Sequence, residues 1–440
     1  MGNKLFRIFF YGFVASLPFQ IKTLFFTEGF YGTGFFNPYL SHFLYVGDIF
    51  LVLSLLFFGL HIMTSGSEKR KRFAGGNMFL TLILGLFLVL CALSLLPSVN
   101  KLNSLLTLFR YFEFFVVYIL VSGGFVKVKN VVYVFLGAMV VSTFIGIFQY
   151  VFQQSLGLSL LGEPVVSSTT LGVAKVALLG RAVLRAYATF PHPNIFAGYL
   201  VFAIFFTIYY WKEYKVLFTL LLVIFGAGLL LTFSRSAILA LLAGMVVYYS
   251  ISKIKISWRY LSLFALVFVI FVVFFDLTSI ISQRFIIGDA NSLYERGVLY
   301  SAGKNMFFDN FFGVGLGNFT EVMQNYIGDK LMPWQFQPVH NIFVLVLNEV
   351  GIFGFIVFAF LFVYLAYSLL VKSSALFLAL LFGIFIIGLF DHYFVSLYQG
   401  QALFWLFLGM SRSLEFDVSE TKVARKGHLL YNKILLKKQT

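Results

Sequence analysis

Cysteine is almost missing from this chain. A single Cys91 occurs in 440 residues, so no intrachain disulfide can form and no Cys-x-x-Cys motif exists. Charge is scarce as well, at 11% of residues against about 25% in soluble domains. No low-complexity linker divides the chain and no internal repeat is evident. The phosphate-cradling G-x-x-x-x-G-K-S/T loop and the H-E-x-x-H zinc motif are both absent. The one glycine-spaced pattern, GVGLGNF at 313–319, lacks the strand-to-helix setting of a dinucleotide site. No small-residue cleavage site follows the first apolar segment, so that segment reads as a membrane helix and not as a removable leader.

What is present is grease. Sixty per cent of residues are hydrophobic and 60 are phenylalanine. Apolar runs of about 20 residues recur, which is the length of a membrane-crossing helix. A membrane barrel would show runs of about 10 alternating residues instead. The expected fold class is therefore all-α, a polytopic membrane protein with twelve spans near 5–21, 43–63, 77–96, 104–121, 131–152, 194–210, 216–233, 236–251, 260–275, 341–367, 374–390 and 401–411. Residues 1–412 form one transmembrane domain, and 413–440 a basic tail.

The basic residues orient these spans. One alternating set of loops holds Lys4, Arg7, the run EKRKR at 68–72, Lys127, Lys129, Lys212, Lys215, Lys253, Lys255, Arg259, Lys372, Arg412 and the tail, in all 21 of 32. The positive-inside rule then assigns both termini to the cytoplasm of an inner-membrane protein. The same bias accounts for the net charge of +15 through anionic headgroups, without nucleic acid as a partner. Two long loops, 153–193 and 276–340, face outward, with TFSRSA (232–237) and DHYFVSLYQG (391–400) beside them. Aromatic residues at helical spacing over 292–308 predict that the second loop folds into a helical cap.

Unusual polar residues gather on that outer side. Arg185, Arg235 and Arg296 lie there against the charge bias. A charge near the hydrocarbon boundary costs a few kcal/mol unless it finds a partner or water. Arg235 has two readings, a two-pronged clamp on phosphate oxygens or an interfacial arginine reaching for headgroups. Lys175 and Arg181 on the first long loop read as solvated charges. His340 is available as a general base near neutral pH, or else simply opens a helix with a structural hydrogen bond. Asn341 and Glu349 add polar groups just behind it. His192 sits between Pro191 and Pro193, and Pro193 and Asn194 suit a helix start, so local signals favour a structural role. Asp391 beside His392 completes a polar pocket or belongs to a capped loop with an aromatic belt. Outward acidic residues are few and scattered, which argues against a carboxylate-held metal. Arg110 and Glu113, inside a span and three apart, read as a structural pair.

Four motifs in order carry a resemblance: RAYATFPHPN (185–194), TFSRSA (232–237), ERGVLYSAGKNMFFDNFFGVGLGNF (295–319) and VHNIFVLVLNEVGIFG (339–354). Together they resemble the O-antigen ligase family of bacterial envelope proteins, related to O-antigen polymerases, over roughly 180–400. The resemblance implies a metal-independent, cofactor-free inverting glycosyltransferase of the GT-C type. The donor would be a glycan on a polyprenyl pyrophosphate, usually undecaprenyl. The acceptor would be an envelope lipid such as lipid A-core, a glycan or a protein, outside the cytoplasmic membrane. By matching position, Arg185, Arg235 and Arg296 would hold the pyrophosphate and His340 would be the base. His192 and Asn194 would shape the floor, and Asn341, Asp391 and His392 would support it. Two positions depart from the family pattern: Ala188 stands where glycine often precedes T-F, and Val344 or Phe343 where leucine is usual. Repeat-unit polymerisation, protein O-glycosylation and lipid or glycan transport without bond chemistry are the alternatives. Against the last, polar residues cluster at one boundary and not at the bilayer midplane.

Overall fold

The computed structural model describes residues 2–27, 36–64, 78–178, 181–252, 290–327, 332 and 335–413. The expected span 260–275, cap residues 276–289 and the tail from 414 lie outside them.

Long apolar helices make up the body. They are α1 (Gly2–Ser16), α2 (Val46–Thr64), α3 (Met78–Leu93), α4 (Lys101–Ser122), α5 (Val128–Phe152), α6 (Pro193–Tyr210), α7 (Lys215–Leu231) and α8 (Arg235–Ser252). After the undescribed stretch come α9 (Ala290–Asp309), α10 (Ile342–Val371), α11 (Ala375–Phe390) and α12 (398–413). Among the described residues six helices are long and apolar enough to cross a membrane, and three more are apolar but shorter. The chain is a multi-pass helical membrane protein.

Two helices stand at its centre. Along α6 every residue but two is buried, and α12 is buried from residue 401 onward. A helix apolar on all faces can satisfy itself only inside a bundle. Around them, α2 turns Val52, Leu56 and Leu60 outward and α8 turns Leu239, Leu242 and Val246 outward, as lipid-facing helices do. The interior is an aromatic mesh, with Phe135, Phe190 and Tyr199 stacked or tilted against one another around α6.

The all-α expectation needs two corrections. The first span was drawn to residue 21, but α1 ends at Ser16 and the chain enters strand β1 (Lys22–Thr27). The second was drawn from 43, but Ser41–Tyr45 is strand β2, antiparallel to β1. Periodicity along one chain cannot distinguish the apolar end of a strand, here Phe43, Leu44 and Tyr45, from the first turn of the helix that follows it. The long loop 153–193 holds a second antiparallel strand pair, β3 (Lys175–Leu178) with β4 (Arg181–Leu184), and Arg181 is solvent-exposed there as expected. The remaining spans among the described residues coincide with helices to within a few residues, and α9 occupies the stretch where aromatic spacing predicts a helix.

The segment that follows α9 is wedged into the bundle through GVGLGNF. Gly351 interrupts α10 with φ 78° and ψ −176°, a region open only to glycine. The break frees carbonyls from the helical ladder. Those of Asn348 and Glu349 accept the N–H groups of Val314 (2.9 Å) and Gly315 (3.0 Å), and Ile352 N–H reaches back to the Phe311 carbonyl at 3.2 Å. Asn318, fully buried, accepts from Asn103 Nδ2 (2.7 Å) and donates to Ser98 Oγ (2.8 Å), Asn100 O and Val314 O. Asn103 in turn meets His42 of the N-terminal hairpin at 2.8 Å. The GVGLGNF segment, the bundle and the β1–β2 strand pair are thus tied by one polar network. Arg110 and Glu113 do pair, as read from their spacing, and Asp48 and the Tyr398 ring complete their surroundings.

Candidate active site

The TFPHPN corner is shaped by a buried glutamine. Gln149 of α5 accepts from the backbone N–H groups of Tyr187 and Ala188 and donates to the Ala188 carbonyl. This holds Ala188 at a left-handed φ of 55° and turns the chain toward α6. His192 caps that helix: its Nδ1 accepts from Asn194 N–H at 3.2 Å, with Pro193 in the first turn. An acceptor at Nδ1 leaves the proton of neutral His192 on Nε2.

From this corner a polar chain crosses the site. Arg185 is 5% exposed. Its Nε donates to the Thr232 carbonyl and its Nη2 to Asn194 Oδ1, each at 2.6 Å. The other end of the Asn194 amide donates to Asp391 Oδ2 at 2.9 Å. The second carboxylate oxygen, Oδ1, accepts from the His392 N–H at 2.9 Å. The amide therefore stands between a buried guanidinium and a buried carboxylate and keeps them from pairing directly.

Three rings continue the line. His392 lies edge-on to His340 (centroids 5.3 Å apart) and, from the hairpin side, edge-on to Tyr39 at 5.4 Å. Asn37 fixes that approach, accepting from Tyr39 N–H and donating to the Phe336 carbonyl just ahead of His340. Arg296 on α9 acts electrostatically on all three histidines. Burial, reinforced by neighbouring charges, holds His192 and His340 down to about 3, and burial with Arg296 holds His392 down to about 4. All three are neutral at pH 7. Burial disfavours a charged Asp391, yet the histidines beside it and the Asn194 hydrogen bond outweigh this and keep it ionised below the usual carboxylate range.

Arg185, His192, Asn194, Arg296, His340, Asp391 and His392 are thereby brought into one cluster from four separate stretches of chain. Arg235 opens α8 three residues beyond Thr232 and is half-buried. Asn341 is turned elsewhere: its Oδ1 caps α10 at Phe343 and Val344, and its Nδ2 meets the Leu389 carbonyl. Among the described residues, no group of three or more His, Cys, Asp or Glu is placed to hold a metal ion. Sequence reasoning missed Tyr39, Thr232 and Ser396, the last at 2.6 Å from His392 Nδ1. Tyr39 lay in a stretch read as a loop before a span, and no local signal ties it to a histidine 353 residues further along.

Residues 218–359 match a family model described as O-antigen ligase. The match includes Arg235, Arg296 and His340 and ends before Asp391. No curated protein sequence matches the chain significantly.

Proposed function

We propose, from the match of residues 218–359 to the O-antigen ligase family model, that this protein carries out glycosyl transfer of the ligase or polymerase type and moves a glycan from undecaprenyl pyrophosphate to an envelope acceptor such as lipid A-core. The observation that carries the proposal is the convergence of Arg185 and Arg296 with a neutral His340 on one cluster.

In this reading the transfer inverts the anomeric carbon without a metal. The pyrophosphate leaving group gains charge as its bond to the sugar breaks, and guanidinium donors offset that charge. Arg185, held by the Thr232 carbonyl and the Asn194 amide, Arg296 and the half-buried Arg235 supply those donors. His340 takes the proton of the acceptor hydroxyl. Its Nδ1 is buried without a hydrogen-bond partner among the described residues, and the ring is neutral, hence able to accept. A bound pyrophosphate would cancel part of the arginine charge that keeps the histidine weakly basic, so basicity rises when the donor is seated. His192 and Asn194 form the floor and Asp391 balances the cations. The site faces the periplasm, with both termini cytoplasmic, so the donor lipid enters sideways from the bilayer.

The test is His340→Ala in cells deprived of the native gene. Carrier-linked polymer accumulates and the acceptor stays bare while the protein remains at normal abundance in the membrane. Unchanged transfer would remove His340 from its role. Single repeat units on the acceptor in a gene deletion would point instead to a polymerase joining repeat units on the carrier.

A further inference from the structure

Ser396 decides where the proton of His392 sits. Ser396 ends the short helical turn Tyr393–Ser396 between α11 and α12, and His392 is its N-cap, four residues earlier. Ser396 Oγ lies 2.6 Å from His392 Nδ1 and 2.9 Å from the His392 backbone carbonyl. A hydroxyl has one proton. The carbonyl can only accept, so the serine proton goes to it, and the short contact to Nδ1 is then satisfied only when Nδ1 carries hydrogen. The opposite arrangement, with the serine proton on Nδ1, would leave two acceptor oxygens facing each other in a buried place. Burial is not in question, since His392 is 2% exposed.

The far edge of the ring carries Nε2. It makes no hydrogen bond among the described residues. The titratable and charged groups around the ring are Asp391 beside it, His340 just ahead of α10, His192 at the start of α6, Arg296 on α9 and Tyr39 just ahead of β2. The Tyr39 ring is packed against His392 and burial keeps its phenol protonated, a donor well above its ordinary range.

We propose that His392 is fixed as its Nδ1–H tautomer and presents an unprotonated Nε2 as a hydrogen-bond acceptor for a sugar hydroxyl of the incoming acceptor. This rests on the glycosyl-transfer reading. It divides the site by chemistry. Arg185 and Arg296 attract the anionic pyrophosphate, whereas a lone pair at Nε2 repels phosphate oxygen and welcomes a hydroxyl. His192, whose Nδ1 is the acceptor, has the opposite tautomer and donates from Nε2. Two histidines of one cluster are thus given opposite polarity by their local backbones.

Full-length protein in lipid nanodiscs, grown with isotopically labelled histidine, reads this directly by solid-state NMR. The His392 signals are those absent from His392→Gln. One protonated Nδ1 and one bare Nε2 are expected near neutral pH; a protonated Nε2, or an even mixture, overturns the proposal whatever the protein transfers. Ser396→Ala is expected to give mixed tautomers and Ser396→Thr to restore the single one; a wild-type spectrum for Ser396→Ala also overturns it. In a transfer assay, Ser396→Ala should raise KM for the acceptor about twofold, because an even mixture leaves only half of the molecules with a bare Nε2. KM for the polyprenyl-pyrophosphate donor should hold, and threonine should recover the loss. A defect confined to the donor refutes the sugar hydroxyl as ligand. If the wild type transfers no glycan, the glycosyl-transfer reading and its sugar ligand fall together, while the spectra still decide the tautomer.

Discussion

Asn194→Ala tests the bridge between Arg185 and Asp391. The amide accepts from Arg185 Nη2 at 2.6 Å and donates to Asp391 Oδ2 at 2.9 Å, and Asn194 is 9% exposed. Each is a hydrogen bond to a charged group, worth about 1.5–3 kcal/mol. Losing both would cost about 3–6 kcal/mol if nothing moved. Partial relaxation reduces this, and about 2–4 kcal/mol is expected. Alanine suits the first turn of α6, so helix propensity adds nothing to the loss. Binding changes too. Without the amide, Arg185 and Asp391 can close on each other, and a pair about 4 Å apart attracts by about 4 kcal/mol at an effective dielectric of 20. Even a third of that attraction, if a pyrophosphate must break it, weakens the anion by about tenfold. Equilibrium unfolding in mixed micelles gives the first quantity. Calorimetric titration with a short-chain polyprenyl pyrophosphate gives the second. A variant that unfolds like the wild type and binds the pyrophosphate equally well would refute the bridge.

Gly351→Ala should destabilise the protein by about 2–3 kcal/mol in the same unfolding assay, because its φ of 78° admits only glycine at low cost and a Cβ would meet the Phe312 backbone at 2.5–2.8 Å. An unchanged midpoint would show that the break in α10 is not required. Acid should destabilise the fold: the three histidines have folded values of about 3 to 4, below the unfolded value of about 6.5. Their contribution is full above pH 6.5 and falls as pH drops toward 4. Thermal denaturation across that window should show the fall, and His392→Gln should make it shallower; an identical slope would contradict the placement. Arg235→Lys separates the two readings of that residue, since lysine keeps the charge but loses the two-pronged contact. A drop in transfer rate with normal abundance supports the clamp, and full activity supports an interfacial arginine.

Much of the architecture was legible from composition and run length. Hydrophobic runs of membrane length must become helices, because lipid leaves no other partner for backbone groups. The helical cap segment followed from aromatic spacing over 292–308, and the Arg110–Glu113 pair from a three-residue interval. The β1–β2 pairing was not legible, because the three apolar residues Phe43, Leu44 and Tyr45 that end β2 run directly into α2 and carry no separate period. Gly351 carries no signal of its own inside an apolar run. Its break shows only once GVGLGNF supplies N–H groups to the freed carbonyls.

The site divides the same way. The amino-acid sequence alone determined which residues stand out chemically: arginines and histidines in a greasy chain, each near a helix end where polarity is affordable. That is a one-dimensional fact, since burial cost depends on residue type and neighbours in the run. Which of them meet was decided in three dimensions. Arg185 and Asp391 are 206 positions apart and share one amide, while Asn341, adjacent to His340, turns away to cap its own helix. Tautomers, too, belong to the folded state. A histidine's proton goes where the partner of its other nitrogen sends it, and that partner, Ser396 for His392 and the Asn194 N–H for His192, acquires its position only when the backbone turns there.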